Sequence, residues 1–344
     1  MAEIKSPSHP TIDDVARHAG VSTATVSRVI NKSGPVAEGT TARVWQSIEH
    51  LNYRPRAAAR GLASGRTHAL GLIAHLVSVP FFAPLLHGIE STAREAGFNL
   101  LIHSGQLEPS PGPGFQRPLG PHNTDGLLVF AGALPEAELS SLNESGFPVV
   151  LLLQSSPEAL DIPYVTFENK SSARKLIEHL IQVHGYRRIA YLQGPEDQED
   201  SHWRERGYRE AMGAHGISVD PKLVAMGGVR GGQARTVVAD WIRQGLLPEA
   251  IFAFDDDSAL EAIYALGQVG LRVPEDVAVV GFDDIHLAQY LAPPLTTVRV
   301  PVEKAGREAA HQLVRLITEG QAAPVSLLPT ELVIRRSCGC ELEV

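Results

Sequence analysis

The chain has 344 residues, 44% of them hydrophobic, and a formal charge of −9. That length exceeds one ordinary core and predicts two or three domains. No apolar run is long enough to span a bilayer, and the polar start Met1-Ala-Glu-Ile-Lys-Ser-Pro lacks a signal-peptide core, so membrane and secreted proteins are set aside and cytoplasmic residence is expected.

The acidic total would also argue against nucleic acid, but the charge is unevenly placed. Residues 1–66 hold nine basic and five acidic side chains, a surplus of four that leaves −13 on the remainder. A basic head on an acidic body lets phosphate attraction act at one end only. Within that head, Thr11-Ile-Asp-Asp-Val-Ala-Arg-His-Ala-Gly-Val-Ser-Thr-Ala-Thr-Val-Ser-Arg-Val-Ile-Asn31 reads as two short helices joined by a tight turn. Thr11 can cap the first helix, Asp13 and Asp14 suit its positive end, and Gly20 stops it. Ser22 can cap a second helix whose Val26, Val29 and Ile30 face the first. That leaves Thr23, Ala24, Ser27 and Arg28 on the opposite side, small polar groups and one guanidinium of the kind that reads a major groove. The competing reading is a hairpin that only packs or binds protein. Exposed hydroxyls and Arg28, rather than carboxylates, speak against it.

Val44, Trp45, Ile48 and Leu51 have helical spacing and predict a third helix that closes a small core, ended by Tyr53-Arg-Pro55. Arg56-Ala-Ala-Ala-Arg-Gly-Leu-Ala-Ser-Gly65 is alanine-rich but interrupted by Gly61, a helix marginal by itself that could form against a partner or remain a linker. From Ala69 the pattern becomes strand, helix, strand, helix. Strands are predicted at 69–74, 98–103, 126–130, 149–153, 188–192, 250–254 and 277–282. Helices are predicted at 82–96, 170–184, 203–215, 232–244, 257–269 and 302–319. This alternation predicts parallel sheets flanked by helices, with enough strands for two lobes and a ligand cleft at the carboxyl ends of the strands. Residues 106–121 carry five prolines and predict an irregular surface loop. Cys338-Gly-Cys340 is read as structural or incidental. The pair offers too few ligands for zinc and is not Cys-x-x-Cys, so no metal site is expected. Enzyme signatures are missing as well: Gly227-Gly-Val-Arg-Gly-Gly232 is not a dinucleotide fingerprint, Asp255-Asp-Asp257 lacks calcium-loop spacing, and His286 near Asp283 is read as a surface histidine. Neither catalysis nor a cofactor is expected.

Several stretches, taken in this order, carry a resemblance: Thr11 to Asn31, Tyr53-Arg-Pro-Arg-Ala-Ala-Ala-Arg-Gly-Leu62, Pro80-Phe-Phe-Ala83, Thr124-Asp-Gly126, Arg204-Glu-Arg-Gly-Tyr208, Val273-Pro-Glu-Asp276, Gly281-Phe-Asp283, Pro294-Leu-Thr-Thr297 and Arg335-Arg-Ser337. Over almost its full length the chain resembles the lactose-repressor and galactose-repressor (LacI/GalR) family of bacterial transcription regulators. The resemblance implies an all-α helix-turn-helix head at 1–54, a hinge helix at 55–66 and a periplasmic-binding-protein-like body at 67–344. In that body the first lobe is about 67–168 plus 298–325, and the second is about 169–297 plus the C-terminal segment. It implies a homodimer on a near-palindromic double-stranded DNA operator. Thr23, Ala24 and Arg28 would read bases, and Ser22, Thr25, Ser27 and Asn31 would lie near phosphates. Arg60 and Leu62 belong to the hinge, with Leu62 wedged into the central minor-groove step.

The implied effector cleft uses Phe81 and Phe82 at its mouth, Asp200 and Arg204 as hydroxyl or carboxylate holders, and Asp255, Asp256 and Asp283 at its floor. Aromatic faces with paired charged groups suit a small sugar whose binding releases DNA. The alternative is a corepressor-dependent repressor or an activator that responds to a polyol, amino-sugar or nucleobase. The chain departs from the family pattern at Asp255, where Asn is usual, at Glu168, where Asp is usual, and at Ala63, where some members carry Lys. The first departure makes the cleft more acidic.

Overall fold

The computed structural model describes residues 10–31, 33–54, 66–75, 77, 80–105, 118–228 and 231–341. The chain divides into two compact units, Met1–Thr67 and His68–Val344. The hinge segment through residue 65, with Arg60 and Leu62, and residues 106–117 of the proline-rich stretch lie outside the described residues.

The first unit holds α1 (Ile12–Ala19), α2 (Thr23–Asn31) and α3 (Glu38–His50). Thr11 and Asp14 form a reciprocal capping box, in which the Thr11 backbone N–H donates to Asp14 Oδ2 at 2.9 Å and Asp14 N–H donates back to Thr11 Oγ1 at 3.3 Å. Gly20 ends α1 at φ +64°, and Ser22 Oγ accepts from Thr25 N–H at the start of α2. Val15, Ala19, Val26, Val29, Val44, Ile48 and Tyr53 make one small core. Trp45 departs from the expectation, since it is 45% exposed. Val44 and Ile48 are four residues apart and share the buried face, whereas Trp45 stands about 100° round the helix from Val44. His18 Nδ1 instead ties α1 to α3 through Ser47 Oγ at 2.9 Å.

In the second unit β1 (Ala69–Ala74), α4 (Phe82–Glu95), β2 (Asn99–Ser104), β3 (Gly126–Phe130), α5 (Glu136–Glu144), β4 (Val149–Leu152) and β5 (Tyr164–Phe167) build the first lobe. α6 (Asn169–His184), β6 (Ile189–Gln193), α7 (Glu199–Ala214), β7 (Val224–Met226), α8 (Gln233–Arg243), β8 (Ala250–Ala253), α9 (Asp256–Gln268) and β9 (Ala278–Val280) build the second. The chain then runs through β10 (Thr297–Arg299), α10 (Val302–Glu319), β11 (Val325–Leu328) and β12 (Glu331–Val333). The first sheet has the order β11-β5-β4-β3-β1-β2 and the second β7-β6-β8-β9, with every adjacent pair parallel. β10 and β12 pair antiparallel as a separate two-stranded ribbon. β1 and β4 are buried along their whole length, as sheet strands covered on both faces must be. The first sheet takes in Val325–Leu328, three residues past the limit of 325 read from the sequence.

Two helix contacts position the cleft. α10 packs on α4 and over β3, β4 and β5, and α6 packs on α7. At the second contact Gly207 has no side chain, and a Cβ there would collide with the Lys170 carbonyl oxygen. This close approach brings the first turn of α6 beside the first turns of α7. Glu168 caps α6 by accepting from Ser171 N–H at 3.1 Å, so the longer acid still fills the capping role.

Candidate functional site

On the head, α2 presents Thr23, Ala24, Arg28 and Asn31 to solvent, with Thr25 and Ser27 half-buried, while Val26 and Val29 turn inward. Among the described residues no carboxylate pairs with Arg28, so its guanidinium is open to an external acceptor. Asn31 Nδ2 donates to Ser27 Oγ at 3.2 Å, and Ser22 Oγ and Thr25 Oγ1 lie 2.9 Å apart, which sets a row of hydroxyls along one edge. Such a row suits phosphate oxygens, and the exposed Arg suits a base edge.

In the second unit the carboxyl ends of the strands converge from both lobes. The first lobe contributes His75 after β1, Gly132 after β3, and Gln154 and Ser155 after β4. The second contributes Gly194 after β6, Phe254 and Asp255 after β8, and Gly281 to Asp283 after β9. Arg204, only 3% exposed, is the hub. Its Nε donates to Asn169 Oδ1 at 3.0 Å, Nη1 to the Phe254 carbonyl at 2.7 Å and Nη2 to Asp283 Oδ1 at 3.2 Å, with Asp200 Oδ2 3.9 Å from Nη2. Its guanidinium carbon lies 3.8 Å from the Phe282 ring centre and 4.6 Å from that of Phe254, a cation held between two aromatic faces. Asn169 Nδ2 donates to Asp200 Oδ1 at 2.7 Å, so one amide orients both the cation and the acid.

The acids outnumber the cation. Burial pushes the Asp283 carboxyl up to about 7. Asp255 and Asp200 push the same way, and together they outweigh the guanidinium 3.2 Å away. Burial likewise raises Asp200 to about 6, helped by Glu199 and opposed by Arg204 and Asn169. Asp283 also has φ +108°, a conformation costly for an L residue, by about 1–3 kcal/mol. Its N–H donates to the Val298 carbonyl at 2.8 Å, which helps hold it there.

Two residues read from the sequence as cleft contacts have other positions. Asp256 is fully buried and accepts from Thr297 Oγ1 at 2.6 Å and from Ile285 N–H at 2.9 Å, so it braces α9 against β10. Phe82 is 4% exposed and packs in the first-lobe core, its ring 4.7 Å from that of Phe130, while the half-buried Phe81 lies edge-on to it. Asp255 caps α9 through Ser258 N–H at 2.7 Å and remains half-exposed.

Other groups belong to the cleft that residue types alone do not reveal. Glu199 Oε2 accepts from Ser155 N–H at 2.6 Å and from Ser155 Oγ at 2.7 Å, a contact between the lobes, and its Oε1 accepts from Trp203 Nε1. His75 Nδ1 and Ser201 Oγ are buried without a hydrogen-bond partner, which is costly unless a ligand or water meets them. Only Asn169 had a signal in the sequence, its place next to the capping acid at the head of α6.

The raised acids give a pH dependence of fixed sign. A carboxyl whose pKa is higher in the fold than in the unfolded chain, where it is about 3.9, stabilises the fold fully below that value and loses the contribution as pH rises through 6 to 7. The melting temperature of the second unit is therefore expected to fall between pH 5 and pH 8, and Asp283→Asn to flatten that slope. An unchanged slope in the variant, followed by calorimetry, would assign the pH dependence to other groups.

A basic head with an exposed helix, and in the same chain a unit of two parallel-sheet lobes with a polar cleft, define a ligand-sensing DNA-binding protein. Residues 11–56 match the model of bacterial regulatory proteins of the lacI family, and residues 177–338 match that of a periplasmic binding protein-like domain. The HTH-type transcriptional repressor PurR of Aliivibrio fischeri (strain MJ11) is 34% identical over 311 residues, which cover 90% of this chain and 92% of PurR. PurR of Haemophilus influenzae (strain PittEE) is 33% identical over 332 residues, covering 95% and 98%. Among solved structures, the transcriptional regulator CelR–cellobiose complex superposes with a TM-score of 0.68 at 32% identity, covering 95% of this chain and 99% of that one. The lac repressor dimer bound to operator and the anti-inducer ONPF gives 0.80 at 25% identity, covering 96% and 99%. The chain belongs to the lacI family of bacterial regulatory proteins: it is a DNA-binding transcriptional regulator with an effector-binding domain, not an enzyme. Among the described residues no helix is long and apolar enough to cross a membrane.

Proposed function

We propose that the protein is a cytoplasmic homodimeric repressor which holds a near-palindromic operator and releases it when a small polyhydroxylated ligand closes the cleft. The observation that carries this reading is the Arg204 hub, whose neighbours Asp200 and Asp283 keep 14% and 12% of their side chains exposed. Carboxylates fixed by a buried cation are good acceptors for paired hydroxyls, and Phe81 supplies an apolar face at the rim. Similarity to a regulator solved with cellobiose supports a glycoside. Asp255 beside Asp200 and Asp283 favours, as a second reading, a ligand that carries a positive charge, such as an amino-sugar.

Ser22, Thr25, Ser27 and Asn31 would engage phosphates, with Thr23, Ala24 and Arg28 on bases. Leu62 would wedge a base step, so Leu62→Ala is expected to weaken operator binding far more than binding to unrelated duplex. Equal losses in anisotropy titrations at one salt concentration would rule out the wedge. The ligand itself is sought by thermal shift with sugars, polyols, amino-sugars and nucleobases, because a compound that binds only the folded state raises the melting point by mass action. A glycoside hit lost in Asp200→Asn supports the first reading, and a hit confined to nucleobases contradicts it.

A further inference from the structure

His179, His184, Cys338 and Cys340 meet at the C-terminal end of α6, away from the Arg204 hub at its other end. The four ligand atoms, two imidazole nitrogens and two sulfurs, all lie within 4.8 Å of one another. Three sulfur-to-nitrogen contacts join them. Cys338 Sγ is 3.7 Å and Cys340 Sγ 3.6 Å from His179 Nε2, and Cys340 Sγ is 3.4 Å from His184 Nε2. Tetrahedral zinc, with Zn–S about 2.3 Å and Zn–N about 2.0–2.1 Å, sets sulfur and nitrogen about 3.5 Å apart.

We infer that these residues form a closed Cys2His2 site for a zinc ion, which ties the C-terminal segment to α6. Each element is shaped for it. His184 is the last residue of α6, followed by Gly185 at φ +75°, so the helix stops where its final side chain is needed. Gly339 sits at φ +105°, and a Cβ there would come within 3.2 Å of both His184 Nδ1 and the Tyr186 hydroxyl, so a glycine lets the Cys-Gly-Cys turn close under the imidazole. Tyr186 stacks on His184 at 5.4 Å and its hydroxyl donates to the Cys338 carbonyl at 3.3 Å, fixing ring and turn together. Upstream, Ser337 Oγ donates to the Val279 carbonyl and accepts from Thr296 N–H, so the segment arrives already anchored to β9.

Four protein ligands leave no position for substrate, so the site is structural rather than catalytic. Two thiolates with two imidazoles select zinc over the hard cations magnesium and calcium. Because α6 begins at Asn169, which orients Asp200 and Arg204, a metal at its far end stiffens the helix that carries part of the effector cleft.

The test uses the full-length protein, purified with a phosphine reductant and no chelator. Elemental analysis is expected to find one zinc per chain, and cobalt(II) exchanged into the protein to show thiolate-to-metal charge-transfer and the intense visible bands of tetrahedral coordination. Cys340→Ser and His179→Gln are each expected to lose stoichiometric metal, and chelation to lower the melting temperature of the wild type. Wild-type protein that takes up no zinc from an equimolar solution overturns the inference. So does metal retained in full by Cys340→Ser. Should the variants fail to fold, the cobalt spectrum of the wild type decides alone.

Discussion

Arg204→Ala is expected to cost the second unit about 3–5 kcal/mol of stability and to remove its response to effector, because it breaks a buried ion pair from one side only. The guanidinium donates to Asn169, Phe254 and Asp283, lies between the Phe254 and Phe282 rings, and is 3% exposed. Without it, Asp283 and Asp200 lose the nearby charge that opposes their burial, and their pKa values move still higher. The variant is therefore destabilised more at pH 8 than at pH 6, where the acids take up protons. Arg204→Lys does not rescue it, since a point charge cannot reach three acceptors set around a planar fork. Urea unfolding at the two pH values checks this. A loss below about 1 kcal/mol that is equal at both would show that Arg204 is peripheral.

Arg28→Ala is expected to weaken operator binding by about 1–3 kcal/mol per half-site while leaving the head folded. The side chain is exposed and has no acidic partner among the described residues, so its removal empties no core position. A dimer that loses the contact at both half-sites falls by roughly the square of the single-site factor. On the proposed base contact, discrimination between operator and unrelated duplex shrinks too. Were Arg28 only a phosphate contact, both affinities would drop together and the salt slope would flatten by about one unit per half-site.

The head was legible in the sequence because its signals are local. Thr11, Gly20 and Ser22 act on residues within four positions of themselves, and each is found at the helix end it was expected to mark. Trp45 was misread because a bulky apolar residue next to a true core position mimics the helical stripe. In the second unit the helices of eleven residues or more were legible from their periodicity and several strands as continuous apolar runs, whereas the short, partly exposed strands β5, β7, β10, β11 and β12 carry no such run, and α5 buries only Leu139 and Leu142. Asp256 shows the limit of reading a cleft from carboxylates. It adjoins Asp255 in sequence, yet Asp255 stays half-exposed as the helix cap while Asp256 turns into the protein, toward Thr297 and Ile285. Cys338 and Cys340 lacked visible partners because their histidines are about 160 positions away, and only the packing of the C-terminal segment on α6 joins them.

Cleft and operator are coupled through one linkage: a ligand that favours the closed cleft alters DNA affinity by the factor with which DNA alters ligand affinity. The direct measurement is the affinity of the wild-type protein for a fluorescent duplex from its own upstream region, at fixed salt, with and without a ligand shown by thermal shift to bind. At least a tenfold weakening is expected, and it disappears in Asp283→Asn. A ligand that stabilises the second unit yet leaves operator affinity unchanged would contradict this coupling, and tighter binding would reverse its sign.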